Sequence, residues 1–258
     1  MPTRDEKIRA AGILLAETWQ DATTIDALPE ALFPSDLGEA TAIQAAMARH
    51  IGEPVVGWKV GGAPGPLVGR IYASRLYRDP AELPLRLFPA SGLECEIGFR
   101  LTRDLPARAE AYGESEVSGA VVLAFTMELT GSRFAHGKHS AGDDHELRAI
   151  VADNAAAAGL VVGPEVADWR GLALLDIPVE LSINGGAPQP PNPPAKRTEP
   201  AAVLIWLANE LSTRGIGLQA GQYVTTGSAT LPLPLEPGDE AVAAYGGFGR
   251  IRASLSGP

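Results

Sequence analysis

Between residues 93 and 101 apolar and polar positions alternate. Leu93, Cys95, Ile97, Phe99 and Leu101 hold the odd positions, and Glu94 and Glu96 fall on the even ones. A period of two predicts a strand with one buried face, and it sends both carboxylates out of the same side. A second run, residues 119–129, keeps Val121, Leu123, Phe125, Met127 and Leu129 in phase and carries one acid, Glu128, near its end. Shorter runs predict further strands over 55–62, 160–163, 172–175, 179–183, 241–245 and 249–255. Helical spacing appears over 5–20, where Ile8, Ala11, Leu15 and Trp19 share a face. It recurs over 40–51, which Gly52 and Pro54 bring to a stop. An alanine-rich segment from 146 to 159 also reads as helix, as does 201–212, with Leu204, Leu207, Ala208 and Leu211 on one side. Residues 63–92 hold Pro64, Pro66, Pro80, Pro84 and Pro89 and read as loop-rich; the proline-dense stretch 188–194 reads as an ordered surface loop. The pattern divides the chain into a small helical N-terminal segment, 1–54, and a β-rich domain, 55–258.

Composition narrows the class. A chain of 258 residues, 45% hydrophobic, can bury a large core, and its 22 prolines and 29 glycines imply many turns and short strands. Mixed α+β follows rather than a helical bundle. The net charge of −10, without a basic cluster, argues against a nucleic-acid partner. A single cysteine, Cys95, cannot form an intrachain disulfide. Residues 1–7 lack the apolar core of a signal peptide, and no stretch approaches a membrane span, so a cytoplasmic protein is expected.

The acids are the first candidates for chemistry. Two hard oxygen donors on one strand face suit Mg²⁺ or Mn²⁺, which bind a few carboxylates and keep positions open for water or substrate. The same spacing also suits a half-exposed strand with a solvated acidic face. Glu128 reads either as a third ligand or as a strand-end glutamate pointing at water, because an unpaired buried charge is costly. Lys59 stands between Trp58 and Val60. Apolar walls can lower a lysine's pKa and make it an acid or base; alternatively its stem lies on the sheet while the ammonium reaches water. Gly227, Ser228, Ala229 and Thr230 offer hydroxyls and backbone N–H groups in the manner of an anion-binding turn, or form a plain turn. His136, His139 and His145 lie near Asp143, Asp144 and Glu146, and the first two have a spacing a metal can use. Their segment is so polar and glycine-containing that a surface loop is the better reading. His50 reads as a surface residue in the last turn of its helix.

In chain order these segments resemble the fumarylacetoacetate hydrolase superfamily, and most closely its 2-oxopent-4-enoate hydratase/4-oxalocrotonate decarboxylase branch. The resemblance rests on Gly57-Trp58-Lys59-Val60-Gly61, Glu94-Cys95-Glu96-Ile97, Glu128 with Ser132-Arg133, Ala152-Asp153-Asn154-Ala155, and Thr226-Gly227-Ser228 followed by Pro237-Gly238-Asp239. It implies a β-roll of curved sheets flanked by helices, and a Mg²⁺ or Mn²⁺ ion held by Glu94, Glu96 and Glu128. It further implies Lys59 as acid/base, with Gly227, Ser228, Thr230 and Asp153 binding substrate. The substrate class implied is a small 2-oxo (2-hydroxydienoic) acid from the catabolism of aromatic compounds. The assembly implied is a homo-oligomer, with a pathway enzyme as a possible partner. The His–Glu lid pair of the superfamily's hydrolases has no clear counterpart here, which points to a lyase. Hydration leads, with decarboxylation, acylpyruvate-type C–C hydrolysis and a non-catalytic metal-binding partner subunit as alternatives. Three positions depart from the branch. Residues 69–74 lack its acid, Ala156 and Ala157 stand where it commonly has serine, and Gly131 replaces an aspartate before Ser132.

Overall fold

The computed structural model describes residues 3–61, 67–88, 91–135 and 144–257. Two helices open the chain. α1 (Arg4–Gln20) starts at a capping box between Thr3 and Glu6, and α2 (Leu37–Ile51) starts at Asp36 and ends on left-handed Gly52. Ala11, Leu15 and Trp19 pack against Ile43 and Met47. The same cluster takes in Tyr72, Phe134 and Ala152, so the helical layer is welded to the rest of the fold.

The remaining elements, in order, are β1 (Val55–Gly61), β2 (Leu67–Tyr72), β3 (Leu76–Arg78), β4 (Ala81–Pro84), β5 (Ser91–Leu101), α3 (Glu114–Ser118), β6 (Val121–Gly131), α4 (Asp144–Ala152), β7 (Ala157–Val166), β8 (Val179–Ile183), α5 (Pro200–Thr213), β9 (Tyr223–Ser228), β10 (Leu233–Pro234), β11 (Glu240–Tyr245) and β12 (Arg250–Ser256). Among the described residues the larger sheet runs β2-β1-β9-β5-β6-β7-β3, with β10 pairing β5; the smaller runs β4-β12-β11-β8. β9 comes from late in the chain yet lies between β1, to which it is parallel, and β5, to which it is antiparallel. β2 also packs against β7, so the larger sheet curls back on itself.

The alternation of β5 and β6 explains the main core. Leu93, Cys95, Ile97 and Phe99 share one buried face with Leu123, Phe125 and Met127, covered by Leu204, Leu207 and Leu211 of α5 and by Leu181, Ala243 and Ile251 of the smaller sheet. On the opposite, inner side Ile71, Ala124, Leu160, Val162 and Tyr223 form a smaller cluster. This is the mixed α+β arrangement of curved sheets flanked by helices that the motifs implied.

Three sequence expectations fail locally. Residues 63–92 contain β2, β3 and β4; Pro84 ends β4 at a sheet edge, where a missing N–H does little harm. Residues 172–175 form no strand: a 3₁₀ turn, Leu174–Asp176, buries Leu174 instead. The helix expected over 146–159 stops at Ala152, because Asn154, Ala155 and Ala156 turn left-handed and β7 begins at Ala157. Alanine content alone cannot announce such a turn.

Candidate active site

The carboxylates are assembled by strand register. β5 and β6 pair antiparallel along their whole lengths, with Glu94 opposite Glu128 and Glu96 opposite Thr126. All four side chains therefore occupy one face. An oxygen from each of Glu94, Glu96 and Glu128 lies within 4.8 Å of the others. Glu96 and Glu128 are fully buried and Glu94 is half-buried. The solvated acidic face and the water-facing strand end are thus excluded: Glu128 lies three positions inside the end of β6 at 0% exposure.

Lys59 reaches the cluster from β1. Its Nζ is 2.7 Å from Glu128 Oε1. Thr225 Oγ1 of β9 donates to Glu128 Oε2 at 3.4 Å. Glu96 has a different support. The β5–β9 register slips between Glu96 and Gly98, and the extra β9 residue forms a bulge at which Gly227 has φ of 110°. There the Gly227 N–H donates to Glu96 Oε2 at 2.9 Å.

Electrostatics follows from three acids facing one base. Burial pushes Glu96 well above the usual carboxylate range, with Glu128 and Glu94 adding to it. Burial pushes Glu94 to about 7, Lys59 opposing and Glu128 adding. Lys59 departs from its sequence expectation. Burial among apolar neighbours does act to lower its pKa, but Glu128, Glu94 and Glu96 together hold it above the ordinary lysine value. The ammonium neither loses its proton to hydrophobic walls nor reaches out to water; it sits on Glu128.

The donor set fits a divalent cation. Three hard oxygen ligands converge, one ammonium cannot balance them, and the buried Thr126 hydroxyl beside them has no hydrogen-bond partner among the described residues. Such an orphaned polar atom is what a further ligand or a bound water would satisfy.

The structure disposes the other candidates variously. Gly227 and Ser228 flank the cluster, Ser228 pairing with Glu96 in the ladder. Gly227 and Ser228 end β9 rather than form the expected turn, and the polar groups of the stretch are engaged within the protein: Ser228 Oγ bonds the Thr230 carbonyl, Ala229 N donates to Cys95 O at 2.7 Å, and Thr230 Oγ1 accepts from Cys95 N at 3.0 Å. Asp153 is fully buried and accepts from Ser132 Oγ at 2.7 Å, while its carboxylate pairs with Arg133. It is not among the clustered acids. His145 stacks on Phe33 with ring centroids 3.9 Å apart, and His50 is exposed. His136, His139 and Asp143 lie outside the described residues. Thr126 and Thr225 were missed from sequence. The strand phase that places Glu128 would have found Thr126, two positions before it on β6; nothing local marks Thr225, which arrives on β9.

No family model matches the chain. A 2-keto-4-pentenoate hydratase of Paraburkholderia phymatum is 29% identical over 267 residues, covering 98% of both chains. A 4-oxalocrotonate decarboxylase of Pseudomonas sp. strain CF600 is 29% identical over 161 residues, 62% of this chain and 58% of that protein. Among solved structures, a 4-oxalocrotonate decarboxylase from Pseudomonas putida G7, complexed with magnesium and adipate, superposes with a TM-score of 0.83 over 99% of both chains at 21% identity. Motifs, relatives and fold agree: along nearly its whole length the chain is similar to 2-keto-4-pentenoate hydratases, and its fold is that of the Pseudomonas putida 4-oxalocrotonate decarboxylase, with a looser likeness, at a TM-score of 0.56, to a Yersinia pestis protein named for the fumarylacetoacetate hydrolase family.

Proposed function

We propose that the protein is a divalent-metal-dependent lyase that hydrates small 2-oxo (2-hydroxydienoic) acids, in the manner of 2-oxopent-4-enoate hydratases. The observation that carries this reading is the convergence of Glu94, Glu96 and Glu128 with Lys59 on one inner face of the curled sheet. Glu94, Glu96 and Glu128 would hold the ion, Mg²⁺ or Mn²⁺. When bound, it supplies Lewis-acid stabilisation of the charge that develops on the C2 oxygen of a 2-oxo acid. Lys59 holds its proton at Nζ, beside Glu128 Oε1, and would deliver it to C5 of the 2-oxido dienolate, turning C2 into a ketone with a C3–C4 double bond, ahead of water addition at C4. The bulge at Gly227 holds Glu96 Oε2 through its backbone N–H. The whole-length similarity to a protein named as a hydratase supports hydration over the alternatives. Decarboxylation is the second reading, supported by the similarity to a protein named as a decarboxylase over part of the chain.

Product analysis tests the proposal. With Mg²⁺ or Mn²⁺ and 2-hydroxypenta-2,4-dienoate, the expected product is a 4-hydroxy-2-oxo acid. Release of CO₂ from a 2-oxo-3-hexenedioate, with no hydration of the shorter acid, would replace it with the decarboxylase. Pyruvate plus a second acid from an acylpyruvate would replace it with the hydrolase.

A further inference from the structure

No step described above uses the Ala152-Asp153-Asn154-Ala155 motif, yet its backbone is unusual. Asn154, Ala155 and Ala156 have φ of 54°, 53° and 56°. Left-handed backbone costs a residue other than glycine roughly 1–2 kcal/mol, and three in succession persist only where their surroundings enforce them. Buried contacts do so here. Before the turn, Asp153 takes the Arg133 guanidinium, the Arg133 N–H at 3.1 Å and the Ser132 hydroxyl. Arg133 also reaches past the turn, donating from Nη1 to the Ala157 carbonyl at 3.1 Å.

What the turn presents is the Asn154 carboxamide. Arg70 N donates to Asn154 Oδ1 at 2.8 Å, and Asn154 Nδ2 donates to Arg70 O at 2.9 Å. Those are the two bonds a neighbouring strand would make with one residue of an open edge. Arg70 belongs to β2, at the end of the larger sheet, and Asn154 leads into β7. Gly69 makes the approach feasible: a Cβ there would collide with the Asn154 carbonyl and come within 2.8 Å of Ala157 Cβ.

The strands β2-β1-β9-β5-β6-β7 form a curl, and Asn154 joins β2 to the head of β7. Lys59 faces inward from β1, paired with Gly69 of β2; Glu128 faces inward from β6, paired with Leu160 of β7. Their 2.7 Å ion pair crosses the interior, and the carboxamide fastens the seam behind it. We propose that Asn154 is a positioning residue, whose carboxamide clips β2 to the start of β7 and so holds Lys59 at Glu128. The functional half of this rests on the hydratase reading of Lys59.

Two variants separate the clip from the fold. Asn154→Gly relieves the left-handed backbone and removes the carboxamide; Asn154→Asp keeps the volume and loses the Nδ2 donor. Each should lower kcat about 10- to 100-fold, the scale of a misplaced catalytic group. KM should stay within about threefold. Mn²⁺ affinity should stay within about twofold, because the carboxylates stand on β5 and β6, which Asn154 does not touch. In a Lys59→Met background, Asn154→Gly should lower kcat no further. Wild-type kcat in both variants would overturn the proposal. So would a parallel loss of Mn²⁺ affinity, or a multiplicative loss on top of Lys59→Met, either of which marks a general structural role. Amide exchange needs no substrate. Residues 57–61 and 67–72 should exchange about tenfold faster in Asn154→Gly. Unchanged protection there overturns the clip whatever the protein turns over, whereas faster exchange in a protein that hydrates no 2-oxo acid sinks only the hydratase reading.

Discussion

Lys59 shows what a residue's neighbours in sequence can and cannot tell. Trp58 and Val60 flank it in sequence but, one position away on β1, point to the opposite face and into the main core, and the acids that decide its charge state come from strands 35 and more residues away. The alternation around Glu94 and Glu96 was legible because it is a local property of one strand; that Glu128 would be buried, and opposite Glu94, depends on a register no local pattern fixes. Asp153 was legible as a noteworthy position but not in its setting, since its partner Arg133 stands 20 residues earlier, just after β6. The roles proposed for Lys59 and Glu128 separate experimentally. Lys59→Met should cut kcat by roughly 10²–10⁴ while Mn²⁺ still binds, because it removes a proton donor and keeps most of the apolar stem. Glu128→Gln should do the converse first, weakening Mn²⁺ by about 10-fold or more through loss of a charged oxygen. Calorimetric titration of both variants, with steady-state rates at saturating metal, checks the pair. Equal Mn²⁺ affinity in wild type and Glu128→Gln would remove Glu128 from the site.

Among the elements, β5 and β6 announced themselves because each is 11 residues long and alternates cleanly. The edge strands β3 and β4, of three and four residues, were hidden by their size and by flanking prolines. β9 was hidden differently. Its sequence, Tyr223 to Ser228, gives no sign that one residue bulges out of the ladder, yet the bulge supplies the N–H that holds Glu96. Gly227 is needed there twice over. Its φ of 110° disfavours any side chain, and a Cβ would come 2.6 Å from Thr198 Oγ1. Gly227→Ala should therefore cost about 1–3 kcal/mol of stability. Flattening the bulge should also displace the Glu96 donor and weaken Mn²⁺ binding. Urea melts with and without Mn²⁺ test this: the metal should raise the variant's midpoint less than the wild type's, and an equal rise would show that the bulge does not support the site.

At the scale of the molecule, the helical layer and the curled sheet are joined rather than strung together. The helices were legible from their period, and the second also from its stop at Gly52; their seat on Tyr72, Phe134 and Ala152 was not, because those residues come from three separate stretches of the chain. Glu39 bolts the layer internally, accepting from Lys7 Nζ at 2.9 Å and from Ser35 N at 2.6 Å. Burial alone would raise its pKa, but the Ser35 N–H and the Lys7 ammonium hold it down at about 2. A carboxylate with a lowered folded-state pKa stabilises above its unfolded value and loses that contribution as pH falls toward the folded one. Glu39→Gln should thus cost about 1.5–3 kcal/mol near pH 6, the worth of hydrogen bonds to a charged group, and progressively less between pH 4.5 and pH 2. Denaturant melts at pH 6 and pH 3 measure the difference; a gap that does not shrink in acid would put the contribution elsewhere. The placement of β9 has a further consequence, in time rather than space. A chain emerging from the ribosome can pair β5 with β6 early, gathering the acids, but the wall between β1 and β5 is the last strand of the larger sheet's main run to be synthesised. Until residue 228 is available, β1 with Lys59 and β5 with Glu94 and Glu96 have no shared strand neighbour, so a chain ending before β9 carries the three carboxylates without the strand that ties them to β1.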